Sequence, residues 1–173
     1  MPTSQKIPEQ LAQGVYRYLI NYDEPLKTKL ERLKPKVTYV DSRFSERDYR
    51  DPDQKRRGLW VRTARLVYFE DEISRRDLIA WKDANDLDLG VTEEFLDLTQ
   101  AFPLEHIVSE TVENKLTVPG DMYRWVHGAT PKIVLHNESW EQESERGYRF
   151  GIHQPGPISE QWWGRHSLFF VER

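Results

Sequence analysis

Cysteine is absent from all 173 residues, which removes disulfides, thiolate nucleophiles and cysteine-ligated zinc or iron–sulfur centres. A cytoplasmic location is the expectation that goes with this. The chain also lacks a glycine-rich phosphate loop, a His-Glu-x-x-His pair and any Gly-x-Ser, so phosphate-cofactor, zinc-protease and serine-hydrolase readings have no motif to stand on. Its first ten residues, MPTSQKIPEQ, hold no apolar run of the signal-peptide kind, and nowhere is there the stretch of about 20 apolar residues that a helical membrane span needs. A soluble chain with no membrane span is expected. Charge of one sign is lacking too: 25 basic against 29 acidic residues leave a net −4, which argues against wholesale nucleic-acid binding. With no repeat, low-complexity segment or linker, residues 1–173 read as a single domain large enough to bury a core unaided.

Aromatic residues are what the chain has in excess, with six Trp, eight Tyr and seven Phe. They favour sheets, interfaces and planar-ligand pockets. Residues 58–69, GLWVRTARLVYF, form the stretch around which the rest is arranged. As a strand it places Trp60, Arg62, Ala64, Leu66 and Tyr68 on one face and Val61, Thr63, Arg65, Val67 and Phe69 on the other, so each face carries one cation. If helices cover one face, the arginine there is partly buried and needs an anionic partner.

Elsewhere the spacing predicts a helix over 8–22, opened by Pro8 and carrying Leu11, Val15, Tyr18, Leu19 and Tyr22 on one side. A second short helix is predicted over 26–34, between Pro25 and Pro35, followed by a strand over 36–44 with Val37 and Tyr39 on one side. Residues 45–57 are almost wholly charged and read as an exposed excursion; the Lys55-Arg56-Arg57 cluster sits close to Asp48, Asp51 and Asp53, which favours a solvated loop over a nucleic-acid contact. A short strand is predicted at 77–82, and a helix over 92–100 with Thr92 as N-cap and two glutamates in its first turn. A further helical piece follows over 104–112, loop over 117–130, then strands over 132–140, 147–153 and 162–171. The expected fold class is α+β: an antiparallel β-sheet with helices packed mainly on one face.

The five histidines are dispersed, and only His136 and Glu138 fall on one strand face, a pairing that alternation produces by accident. No metal site is expected. The carboxylates Glu138, Glu141, Glu143 and Glu145 read as a solvated hairpin end. Trp162-Trp163-Gly164-Arg165 is open between packing with a flexible bend and an arginine delivered beside aromatic walls.

Four pieces occur in an informative order: Asp23-Glu24-Pro25-Leu26-Lys27-Thr28-Lys29-Leu30-Glu31, Leu59-Trp60-Val61-Arg62, Phe102-Pro103-Leu104-Glu105-His106-Ile107 and Trp163-Gly164-Arg165-His166-Ser167-Leu168. In this order the chain resembles the chorismate pyruvate-lyase family, its cyanobacterial and plastid branch included. The resemblance implies a chorismate lyase-like fold, with Arg62 gripping a ligand carboxylate, Arg165 adding a second positive charge and the backbone at Leu104 lining the pocket. It implies no metal or organic cofactor. Pro25, Lys27 and Glu105 depart from the family pattern, and the family's last strand, which bears an assisting glutamate, is expected to be lacking. Glu172 is the candidate to replace that acid. The expected function is binding of a small aromatic or enolpyruvyl carboxylate, with conversion of chorismate to 4-hydroxybenzoate and pyruvate if the chain is active. The alternative is a non-catalytic regulatory or assembly subunit that meets a protein partner through a sheet edge exposed by the missing strand.

Overall fold

Alternation decides the N-terminal region. Val15-Tyr16-Arg17-Tyr18-Leu19-Ile20-Asn21 sends Tyr16, Tyr18 and Ile20 to one face, where all three are fully buried. A computed structural model of the chain, describing residues 7–40, 56–120, 132–139, 146–153, 162–163 and 167–173, accordingly has a hairpin where the sequence predicts a helix. Strand β1 (Glu9–Ala12) turns through Gln13 and Gly14 into β2 (Val15–Asn21). The residues at helical spacing are real, but the period-two run of aromatic and branched side chains outweighs them. Gly14, at φ +66°, supplies the left-handed turn residue that a side chain would strain.

Helix α1 (Leu26–Leu33) forms as expected between its two prolines, burying Leu26, Lys29, Leu30 and Leu33 at spacings of three and four. A 3₁₀ turn over Lys34–Lys36 leads to the short strand β3 (Tyr39–Val40). Of the charged excursion, residues 45–55 lie outside the described residues. Strand β4 (Leu59–Tyr68) is the long strand predicted. After β5 (Ile73–Ser74), the predicted strand at 77–82 is instead helix α2 (Arg75–Ala84). Ser74 caps it, its hydroxyl accepting from the Asp77 N–H at 3.1 Å.

Strand β6 (Leu87–Leu89) precedes α3 (Thr92–Ala101), whose N-cap is Val91 rather than Thr92. Glu94 folds back so that its carboxylate accepts from the Val91 N–H at 3.1 Å. Helix α4 (Leu104–Ser109) is shorter than predicted. Then come β7 (Lys115–Val118), which overlaps the start of the expected loop, and β8 (Lys132–Ser139), β9 (Arg146–His153), β10 (Trp162–Trp163) and β11 (Ser167–Glu172).

The fold is α+β. Its main sheet runs β1-β2-β4-β11-β7-β8-β9-β3, with β6 also paired to β11 and a separate β5–β10 ribbon. Two contacts depart from the all-antiparallel expectation: β11 with β7 and β3 with β9 are parallel. The last strand is interior, bordered by β4 on one side and by β7 and then β6 on the other, so it leaves no free edge for a partner. The strands at the two ends of the sheet are β1 and β3.

Two cores lie on opposite faces. The larger packs Tyr16, Tyr18, Ile20, Ala64, Phe169 and Val171 under α1, α3 and α4; the smaller packs Leu168 and Phe170 under Leu78 of α2 with Leu87 and Leu89. Gly90 joins them tightly: its N–H donates to the Phe169 carbonyl at 3.0 Å, and a Cβ there would lie 2.0 Å from the Phe169 ring. Among the described residues no helix is long and apolar enough to cross a membrane.

Candidate functional site

Alternation along β4 turns its arginines to opposite faces, and the two cores make those faces unequal. Arg62 points into the helix-covered side and is only 8% exposed. Its Nε and Nη2 donate to the Glu172 carbonyl at 3.1 and 2.6 Å, its Nη1 to the Tyr22 hydroxyl at 3.4 Å, and Asp88 stands 3.8 Å away. Arg62 and Glu172 are thus brought together through the backbone of Glu172. The sequence calls for an anionic partner; a carbonyl oxygen takes most of that role, with the carboxylate at longer range.

Arg65 faces the other way. Its side chain is 46% exposed and pairs with the Glu172 carboxylate through Nε at 2.6 Å and Nη2 at 2.5 Å. The pair lies on a cleft of about 440 Å³ bordered by α2, β4, β6 and the end of β11. Val67, Leu87 and the Trp81 indole supply its apolar wall; Asn85, Asp86 and Arg173 supply polar groups. Trp81 is held edge-on to Phe69, with ring centroids 5.0 Å apart, and tilted at 5.3 Å from Phe170. Asp86, at φ 56°, turns the chain from α2 into β6, and its carbonyl accepts from the Arg173 N–H at 3.2 Å. A firm aromatic wall, an arginine fork and a carboxyl within one concavity suit a small planar anion.

Beneath Arg62 is a polar network that the sequence did not disclose. Tyr22 donates to the buried Glu94 carboxylate at 2.7 Å, and Tyr18 donates to the Glu94 carbonyl at 2.9 Å. Burial pushes the Glu94 carboxyl above its ordinary value, against the pull of Tyr22, the Val91 N–H, Arg62 and Arg56. Burial also drives both tyrosine hydroxyls well upward. One turn along α3, Asp97 accepts from the fully buried Lys29 at 2.6 Å and from the Asn21 N–H at 2.9 Å. These groups hydrogen-bond to one another inside the core.

A second acid hub ties the hairpin to α4. Glu110 accepts from Gln10 at 2.6 Å, from the Gly14 N–H at 2.7 Å and from the Tyr16 hydroxyl, and the Gln10 amide oxygen meets His106 Nε2 at 2.6 Å. Burial alone would raise the Glu110 carboxyl, yet these donors and the nearby His106 together hold it below its usual value.

Of the sequence candidates, Glu172 lines the cleft, Arg62 lies in the core behind it, and Leu104 is buried in the larger core at the start of α4. Arg165 lies outside the described residues. His136 and Glu138 sit at alternate positions of β8, and no group of three metal-ligating side chains occurs among the described residues. Trp81 escapes a reading of the sequence because the apolar run within 77–82 fits a short strand; Ser74-x-x-Asp77 is the capping signature that marks the helix. Comparison with family models, curated proteins and solved structures gives no match.

Proposed function

We propose that the chain is a chorismate lyase-like protein that binds a small aromatic or enolpyruvyl carboxylate in the cleft beside Arg65. One observation carries this reading: Glu172, the acid candidate, borders the same concavity as an arginine fork and an indole wall. The order of the four sequence motifs suggests the ligand class, although the resemblance assigns the carboxylate grip to Arg62, which is buried against the Glu172 carbonyl. In this reading the ligand carboxylate exchanges with Glu172 on Arg65, the ring lies against Trp81, and Glu172 is released to face the enol-ether oxygen. For chorismate, the bond between the ring and the ether oxygen breaks, the adjacent hydroxyl-bearing ring carbon loses its proton as the ring becomes aromatic, and the departing enolpyruvate takes up a proton to become pyruvate. Arg62 then acts as a positioning residue, fixing the Glu172 backbone from behind.

Calorimetric titration with 4-hydroxybenzoate and with chorismate, followed by a pyruvate assay, tests this. Saturable binding is expected, weakened at least tenfold in Arg65→Ala, whereas Glu172→Gln keeps binding and loses pyruvate release. Absence of binding by either compound overturns the reading.

One observation favours the non-catalytic alternative. Leu19 and Val61 are directly opposed on the outer face of β2 and β4 and are 44% and 41% exposed, with Leu59 on the same face. An apolar patch of this kind suits a protein partner.

A further inference from the structure

Of the charged groups that border the cleft at Arg65, all but one are engaged. Arg65 holds the Glu172 carboxylate, while Arg173 turns Nε to Asp88 at 3.0 Å and Nη2 to Asp83. Asp86 borders the same cleft, is exposed, and makes no side-chain hydrogen bond or ion pair among the described residues. Its neighbour Asn85 spends its amide N–H on the Trp81 carbonyl at 2.8 Å, which leaves the amide oxygen open. One side of the cleft therefore presents two acceptors and no matching donor.

Local structure brings these acceptors together. Helix α2 ends at Ala84, Asn85 is its C-cap, and Asp86, at φ 56°, turns the chain into β6. The end of a helix carries the negative pole of its dipole, where a cation is favoured. Lys82, the basic residue of that last turn, is paired with Asp83 at 2.6 Å and not with Asp86. Strand order sets the span: Arg65 lies on β4 and Asp86 at the start of β6, the strands that flank β11 on either side. Their backbones are thus two strand spacings apart, roughly 10 Å across the sheet. A ring with polar substituents at both ends suits that separation.

The exchange on Arg65 adds a second reason. When a ligand carboxylate takes the place of Glu172, the released Glu172 and the unpaired Asp86 both face the cleft, and the ligand has brought a further negative charge. Like charges in one concavity disfavour an anion that carries no cation with it.

Building on the reading that Arg65 receives the ligand carboxylate, we propose that the ligand is a zwitterion, an aromatic carboxylate whose ring carries a primary ammonium group at the far end. The carboxylate lies on Arg65, the ring against Trp81, and the ammonium on Asp86 and the Asn85 amide oxygen. An ammonium offers donors to both acceptors at once, and its charge-assisted bond to a carboxylate is stronger than that of a neutral hydroxyl.

Calorimetric titration with 4-(aminomethyl)benzoate, 4-methylbenzoate and benzylamine at neutral pH and low salt tests this. The methyl compound keeps the ring and carboxylate and so reports on Arg65 without the ammonium. The aminomethyl compound is expected to bind at least tenfold more tightly than either of the others. Asp86→Asn keeps a residue type that tolerates positive φ. In it the aminomethyl compound should lose at least fivefold, while 4-methylbenzoate, relieved of a like charge, should bind slightly more tightly. Binding of 4-methylbenzoate with no gain from the ammonium, or a gain unmoved in Asp86→Asn, overturns the zwitterion and leaves the Arg65 reading intact. An equal loss of both carboxylates in Asp86→Asn marks Asp86 as structural and overturns it too. Failure of both carboxylates to bind the unaltered chain overturns the Arg65 reading and the zwitterion with it.

Discussion

Arg62 and Arg65 lie three residues apart on one strand, yet their surroundings give them different work. Helices α1, α3 and α4 cover the face that Arg62 enters, so its donors must be met inside the protein, and the Glu172 carbonyl and Tyr22 meet them. Arg65 emerges where α2 stands off the sheet and leaves a cleft, so its partner is a half-exposed carboxylate. The difference teaches that an arginine conspicuous in sequence is most useful for binding when its face is incompletely covered. Burial makes Arg62 structural, and partial exposure makes Arg65 available.

Breaking the buried side of this comparison should have the largest effect on stability. Lys29→Ala leaves buried Asp97 with only the Asn21 N–H and Arg32 at 3.7 Å and should cost about 3 kcal/mol in denaturant unfolding, while replacing both partners with apolar residues should recover most of that. Arg62→Ala strips the Glu172 carbonyl and Tyr22 of a donor and should cost about 2–3 kcal/mol by the same measurement. If Arg62→Ala proves neutral, its hydrogen bonds are not holding the end of β11.

Glu110 sharpens the comparison through pH. Its carboxyl is held below the ordinary 4.5, so it binds fewer protons folded than unfolded in that range; its contribution is present above pH 4.5 and is lost as pH falls through the shifted value. Glu110→Gln should lower neutral-pH stability by about 1 kcal/mol and flatten the acid limb of a pH–stability profile. Glu94 has the opposite sign: its raised carboxyl favours the fold at low pH, and that contribution fades as pH rises through the shifted value. The smallest stability effect belongs to Arg65→Ala, within about 1 kcal/mol because the pair is largely solvated, although ligand binding should fall at least tenfold.

The same contrast explains what could be read in advance. The β4 strand, its two faces and helix α1 between prolines were legible because a long run or a pair of breakers fixed them locally. The first hairpin was not, because Leu11, Val15, Tyr18, Leu19 and Tyr22 fit a helix as well as alternation does, and Gly14 alone marks the turn. Helix α2 was lost to the short apolar run Leu78-Ile79-Ala80-Trp81, and with it the cleft's indole wall. Glu172 was nominated as an acid, and its carboxylate does border the cleft; that its carbonyl would also receive Arg62 depends on β11 lying beside β4, which no local pattern announces.

The central claim is that a small aromatic carboxylate meets Arg65 and not Arg62. The most direct measurement is a nitrogen–proton correlation spectrum of arginine Nε and tryptophan indole groups, recorded during titration with 4-hydroxybenzoate and assigned with Arg65→Lys and Trp81→Phe. The account predicts that the Arg65 and Trp81 signals move together and saturate while the Arg62 signal stays in place. Movement of the Arg62 signal with Arg65 and Trp81 unmoved would contradict it.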